Sequence, residues 1–130
     1  MPDNRYRAAA QFRAELRRFL RRSEDCARRN GITPRQHLLL LQIAGAEDGS
    51  TTVSQLVEVL ALTQSAVTEL VQRAEQAGLV NRIVSETDGR VFHLTLTAEG
   101  RKRLAKVHEG LGPERAHLRA LVDKLEDDDI

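Results

Sequence analysis

Apolar and small residues recur at helical spacing through the first part of the chain. Phe12, Leu16, Phe19, Leu20, Ser23, Cys26 and Ala27 lie at i, i+4, i+7, i+8, i+11, i+14 and i+15. That spacing predicts one face of a helix of about six turns, with Arg over much of the remainder. Asn30-Gly31 then gives a C-terminal stop. Thr33-Pro34-Arg35-Gln36 places a hydroxyl cap, a proline at the first helical position and a glutamine three residues after the cap. The helix it opens runs to about residue 46 through Leu38, Leu39, Leu40, Leu41 and Ile43, an apolar density that predicts burial on most sides. Glu47-Asp48-Gly49-Ser50 is a loop.

Thr52-Val53-Ser54-Gln55 repeats the capping pattern and opens a short helix ending near residue 60. Ala61-Leu62 makes a tight turn, and Thr63 caps a helix over residues 64–77 that stops at Ala77-Gly78. The period then changes from helical to alternating. Residues 79–84 and 91–96 are β-branched or aliphatic runs flanking Ser85-Glu86-Thr87-Asp88-Gly89-Arg90, a hairpin signature. Thr97 caps a further helix over 98–111 with Glu99 in its first turn, Gly112-Pro113 breaks it, and 114–125 form a last short helix. The predicted class is mainly α with a small β-hairpin.

Two short helices, a tight turn between them and an immediate hairpin define a winged helix-turn-helix. The expected organisation is an N-terminal dimerisation helix (1–32), a winged helix-turn-helix DNA-binding unit (33–97), and C-terminal dimerisation helices with an acidic tail (98–130).

On a helical projection of 64–77, Ala66, Val67, Leu70, Val71, Ala74 and Ala77 share one arc. The opposite arc centres on Ser65 and Gln72 and is flanked by Gln64, Thr68, Glu69 and Gln76. Short amides and hydroxyls suit hydrogen bonding to base edges in a major groove. A plain solvated face carries Lys and Glu at i, i+4 more often, and the capped partner helix and following hairpin weigh against that reading. At the hairpin tip, Arg90 can reach a minor groove. Asp88 has no attraction for phosphate, so its expected role is to hold a guanidinium, that of Arg90 or of Arg73. Ser54 and Arg73 are the expected backbone contacts. The DNA-binding set is thus Ser54, Gln64, Ser65, Thr68, Gln72, Arg73, Asp88 and Arg90.

Composition narrows this picture less than pattern does. The net charge of +1 neither demands nor forbids nucleic acid, although residues 5–29 carry nine Arg and 126–129 are wholly acidic. Residues 50–106 hold seven basic and six acidic side chains. Aromatic residues are 3% of the chain, which argues against binding single strands by base stacking. A single cysteine, Cys26, excludes an internal disulfide and a multi-cysteine zinc site. Without an apolar run of membrane-spanning length or a signal-peptide pattern, the sequence reads as cytoplasmic, with no membrane partner.

Asp88, Arg90, Leu96 and Thr97 fit the D-x-R-x5-L-T pattern across the wing that is a signature of the MarR family of bacterial regulators, which this chain resembles. Gly31-Ile32-Thr33-Pro34, Arg73 with Gly78-Leu79-Val80, Arg82, and Thr97-Ala98-Glu99-Gly100 are similar to that family at the same relative places. The likeness spans roughly residues 10–110. It implies a homodimer placing two reading helices in successive major grooves of a pseudo-palindromic operator. It also implies dimerisation through the terminal helices and, in many members, release of DNA by a small aromatic effector or by cysteine oxidation. Val57, where the family usually has Ala, implies slightly wider packing between the paired helices; Glu69 stands where a neutral or basic residue is commoner.

The leading expectation is a sequence-specific regulator of transcription, a repressor in direction, with a pocket between the dimer helices and the winged unit lined in part by the first two helices. Two alternatives stand beside it: a winged helix used only for protein–protein contact, and a regulator triggered by oxidation of Cys26. Cys26 lies on the apolar stripe, where a buried inert thiol is expected. No nucleophile–base arrangement or phosphate loop is present, so no enzyme and no cofactor are expected. Among the histidines only His37, near Cys26, forms a pairing to inspect for metal, and no metal site is expected.

Overall fold

Thr33, Thr52, Thr63 and Thr97 each accept a hydrogen bond from the backbone N–H three residues on, at 3.1, 3.3, 3.1 and 2.9 Å. Each bond satisfies a donor that a helix start leaves orphaned, so these threonines fix where four helices begin. The computed structural model describes residues 3–130, in the order α1 (Asn4–Arg29), α2 (Pro34–Gly45), α3 (Val53–Leu60), α4 (Gln64–Gln76), β1 (Val80–Val84), β2 (Phe92–Leu96), α5 (Ala98–Gly110) and α6 (Gly112–Val122).

The core is aliphatic, as the scarcity of aromatics requires. Leu39, Leu40 and Ile43 of α2 meet Leu56 of α3, Val67, Val71 and Ala74 of α4, Leu94 of β2 and Val107 of α5, all fully buried. Each Leu or Val so buried contributes about 1.5–3 kcal/mol relative to exposure. β1 and β2 pair antiparallel, with Arg82 opposite Leu94 and Val84 opposite Phe92. Thr51 adds a single bridge to Leu94, exchanging backbone bonds of 3.2 and 2.8 Å, and so ties the inner edge of β2 to the start of α3.

The base of the hairpin is clamped to α5. The Thr97 hydroxyl donates to the Gly78 carbonyl at 2.6 Å, and the Thr97 N–H donates to the Leu79 carbonyl at 3.1 Å. A Cβ on Gly100 would collide with that Leu79 carbonyl oxygen, so only glycine lets the first turn of α5 pack so close.

Four expectations need correction. The first helix starts earlier than its apolar stripe, at Asn4, because the Asp3 carboxylate caps it by accepting from the Arg5 N–H at 2.9 Å. Bonds from the Arg5 side chain and backbone hold the Asp3 carboxyl below its ordinary range. The second helix is not buried on most sides: Leu38 and Leu41 are 48% and 41% exposed, opposite the buried Leu39, Leu40 and Ile43. The break between the last two helices falls at Leu111, just before Gly112-Pro113. Proline needs no N–H in a first turn, so α6 begins at Gly112, and it ends at Val122 rather than 125. The largely apolar cavity between the winged unit and the C-terminal helices, about 340 Å³, is lined by α2, β2 and α5, with no residue of α1.

Along the stripe of α1, Cys26 and Ala27 are buried, Phe12, Leu16, Phe19 and Ser23 are half-buried, and Leu20 is 49% exposed. A 3-10 turn at Asp127–Asp129 follows α6 and lies against α1.

Candidate nucleic-acid interface

The local sequence sets α4 at the surface with one face in and one face out. Val67, Leu70, Val71 and Ala74 are buried, whereas Gln64, Ser65, Glu69, Gln72 and Gln76 are exposed and Thr68 is half-buried. Ala77, expected on the inner arc, is exposed, because the helix stops at Gln76 and Ala77 serves as its cap. The turn from α3 into α4 bends at Ala61, which adopts the left-handed conformation (φ 53°) at a cost of about 1 kcal/mol. Burial of Leu56 and Val67 on either side holds that turn.

The start of α3, the first turns of α4 and the hairpin enclose an open cavity of about 260 Å³. Ser54, Gln64, Thr68 and Arg90, all predicted site residues, line it together with Arg82 and Phe92. Ser65 and Gln72 lie on the outward arc of α4, outside this cavity. Arg73 is elsewhere, in a separate cleft between α2 and α4 beside Arg35 and Glu69.

The charges at this surface are paired more closely than the sequence suggested. Asp88 does hold Arg90: its carboxylate Oδ1 accepts the Arg90 backbone N–H at 3.0 Å and faces Nε at 3.4 Å. The alternative partner, Arg73, is instead bridged to Glu69 one turn back on α4, at 2.7 Å. The Arg73 guanidinium thus offsets the Glu69 charge on the outer face of α4. The Arg90 side chain is 93% exposed, projecting from a tip that Ser85 closes by accepting from the N–H groups of Thr87 and Asp88.

Sequence reasoning assigned no role to Arg82 beyond a family likeness. Its guanidinium bridges Glu75 of α4 at 2.7 Å and lies 4.9 Å from the centre of the Phe92 ring. The signal was the alternation Val80, Arg82, Val84, which puts a cation on the inward side of a strand. Thr51 was also missed, because a bridge of one residue has no period to read.

Other candidates are quieter. Cys26 is buried, with Sγ 3.6 Å from the Val107 carbonyl and 3.7 Å from Asn30 Nδ2, surroundings that support a packing role. His37 is buried, and desolvation, helped by His108, pushes its pKa below the ordinary 6.5. Among the described residues no group of three or more His, Cys, Asp or Glu side chains is arranged to hold a metal ion, and no helix is long and apolar enough to cross a membrane.

This arrangement matches known proteins in both sequence and shape. The MarR family model matches residues 30–91, from the end of α1 to the wing tip. That stretch, just under half of the chain, is similar to the MarR family. It is 35% identical over 82 residues to the HTH-type transcriptional repressor MdtR of Bacillus subtilis, a match covering 63% of this chain and 52% of MdtR. The matched stretch thus spans about half of that relative's length. The crystal structure of YusO from Bacillus subtilis superposes with a TM-score of 0.66 at 27% identity, covering 92% of this chain and 82% of YusO. A mutant of MarR from E. coli, complexed with operator DNA, shares the fold at a TM-score of 0.70 and 23% identity, covering 92% of this chain and 83% of that one. The winged helix of the MarR family is the fold of this chain.

Proposed function

We propose that this chain is a sequence-specific, double-stranded DNA-binding regulator of transcription that acts as a homodimer on a pseudo-palindromic operator. The observation that carries the reading is the shared surface of α4 and the wing, where exposed amides and hydroxyls stand beside the solvent-exposed, Asp88-held guanidinium of Arg90. Gln64, Ser65, Thr68 and Gln72 read base edges, and Arg90 enters the adjoining minor groove. Ser54, at the start of α3, and Arg73 contact the backbone, and Asp88 positions Arg90. The repressor name of MdtR and the operator complex of the E. coli fold relative support this reading.

The dimer reading rests on unburied apolar surface at the chain's two ends. Leu20 of α1 and Val122 of α6 are exposed, and α6 presents a largely apolar groove between Ala116, Leu118 and Val122. A second copy covers these faces, which makes 1–32 and 98–130 the dimerisation segments and 33–97 the reading unit. The apolar cavity between α2, β2 and α5, with Arg101 and His108 among its lining residues, is the place for a small aromatic effector.

Selection of duplexes from a random-sequence library by the full chain tests the proposal. Recovered fragments carry two inverted half-sites about one helical turn apart, and light scattering gives a dimer. Recovery of no sequence above background overturns the reading.

A further inference from the structure

Val80, Arg82 and Val84 alternate on one face of β1, opposite Leu96, Leu94 and Phe92 of β2. Leu94 and Leu96 are buried on that face, so it is the side turned toward the core. Arg82 takes an apolar side chain's place in that row, on a stretch of β1 that remains open to solvent. It finds two partners: the Glu75 carboxylate of α4 at 2.7 Å, and the ring of Phe92 at 4.9 Å on the neighbouring strand.

Little else fixes the outer half of the wing. Val80 is buried, but Asn81, Arg82, Ile83 and Val84 are all exposed residues. The Thr51 bridge reaches only to Leu94, and the Thr97 and Gly100 clamp acts at the hairpin's base. A two-stranded hairpin is marginal by itself, so its direction depends on what it leans against. Between Leu94 and the tip, the Glu75–Arg82–Phe92 stack is, among the described residues, the polar tie that joins both strands to the reading helix.

We infer that Arg82 is a positioning residue for DNA recognition: clamped between Glu75 and Phe92, it sets the angle of the wing to α4 and thereby the point at which Arg90 meets the duplex. The inference rests on the DNA-binding reading above. Arg82 acts through Arg90 and not by its own contact with phosphate, since its guanidinium is already taken by a carboxylate.

The test uses the full chain and the tightest duplex that the wild type recovers from a random-sequence library. Arg82→Gln and Glu75→Gln each weaken binding roughly fivefold to tenfold, the worth of an ion pair plus a cation–π contact. In either background Arg90→Ala costs much less than in the wild type, and hydroxyl-radical protection is lost at the wing's minor groove but kept in the major grooves. Reversing the pair, Arg82→Glu with Glu75→Arg, restores a large part of the loss. Glu75→Gln decides the case even if Arg82→Gln fails to fold. It removes a negative charge near DNA, so a direct phosphate role for Arg82 predicts tighter binding, the opposite sign. Tighter binding by Glu75→Gln, or an undiminished Arg90→Ala penalty in its background, overturns the inference while leaving the DNA reading intact. A wild-type chain that recovers no duplex overturns both.

Discussion

The Asp88 carboxylate accepts the backbone N–H of Arg90 at 3.0 Å, two residues along the same tip, and faces the Arg90 Nε at 3.4 Å. One acceptor oxygen therefore fixes both the backbone and the side-chain exit of the wing's outermost cation. Arg90→Ala is expected to cost about 1.5–3 kcal/mol in duplex affinity, the usual worth of a hydrogen bond to a charged group. Asp88→Ala weakens binding less, and Asp88→Asn, which keeps the acceptor oxygen, stays close to wild type. Fluorescence anisotropy with the selected duplex measures all three. Equal losses for Asp88→Ala and Asp88→Asn contradict the positioning role.

Gly100 lies against the Leu79 carbonyl, whereas nothing stands within 4 Å of where a Cβ on Gly45 would go. Gly100→Ala is therefore expected to destabilise by about 1–3 kcal/mol through overpacking. Gly45→Ala, at the end of α2, is neutral or slightly stabilising. Thermal unfolding of the two variants side by side checks the contrast.

His37 gives the folded chain a specific pH response. Its pKa is lowered chiefly by burial and secondarily by His108. The unfolded chain thus takes up a proton on this ring where the folded chain does not. Stability is unaffected by this group above its ordinary pKa of 6.5 and falls as pH drops below that value toward the folded one. His37→Leu flattens this part of the profile, as denaturant midpoints at about pH 7.5 and 5.5 reveal. An unchanged slope contradicts the assignment.

Cys26, buried against Val107 and Asn30, is expected to react with a thiol reagent only after unfolding. Cys26→Ser then leaves the effect of peroxide on duplex binding unchanged. A peroxide response present in the wild type and absent from the variant makes Cys26 the trigger of a redox switch.

The helix starts were legible because a threonine cap is a local device: Thr33, Thr52, Thr63 and Thr97 act within three residues of themselves. The outward arc of α4 was legible for the same reason, since Gln64, Ser65 and Gln72 follow from helical period alone. Partner choice was not. Asp88 had two candidate guanidiniums, Arg90 and Arg73, and only the fold shows that it pairs with Arg90 while Arg73 pairs with Glu69 on its own helix. The Glu75–Arg82–Phe92 stack depends on how the hairpin leans on α4, which is tertiary information. The exposure of Leu38 and Leu41 was not legible, because apolar density alone does not say which faces of a helix the rest of the chain covers.

The central claim is most directly tested by the salt dependence of binding between the wild-type chain and its selected duplex. The account predicts that the logarithm of affinity falls linearly and steeply with the logarithm of salt concentration, and that Arg90→Ala lowers the slope by about one. Saturable binding absent at low salt, or an affinity indifferent to salt, would contradict it.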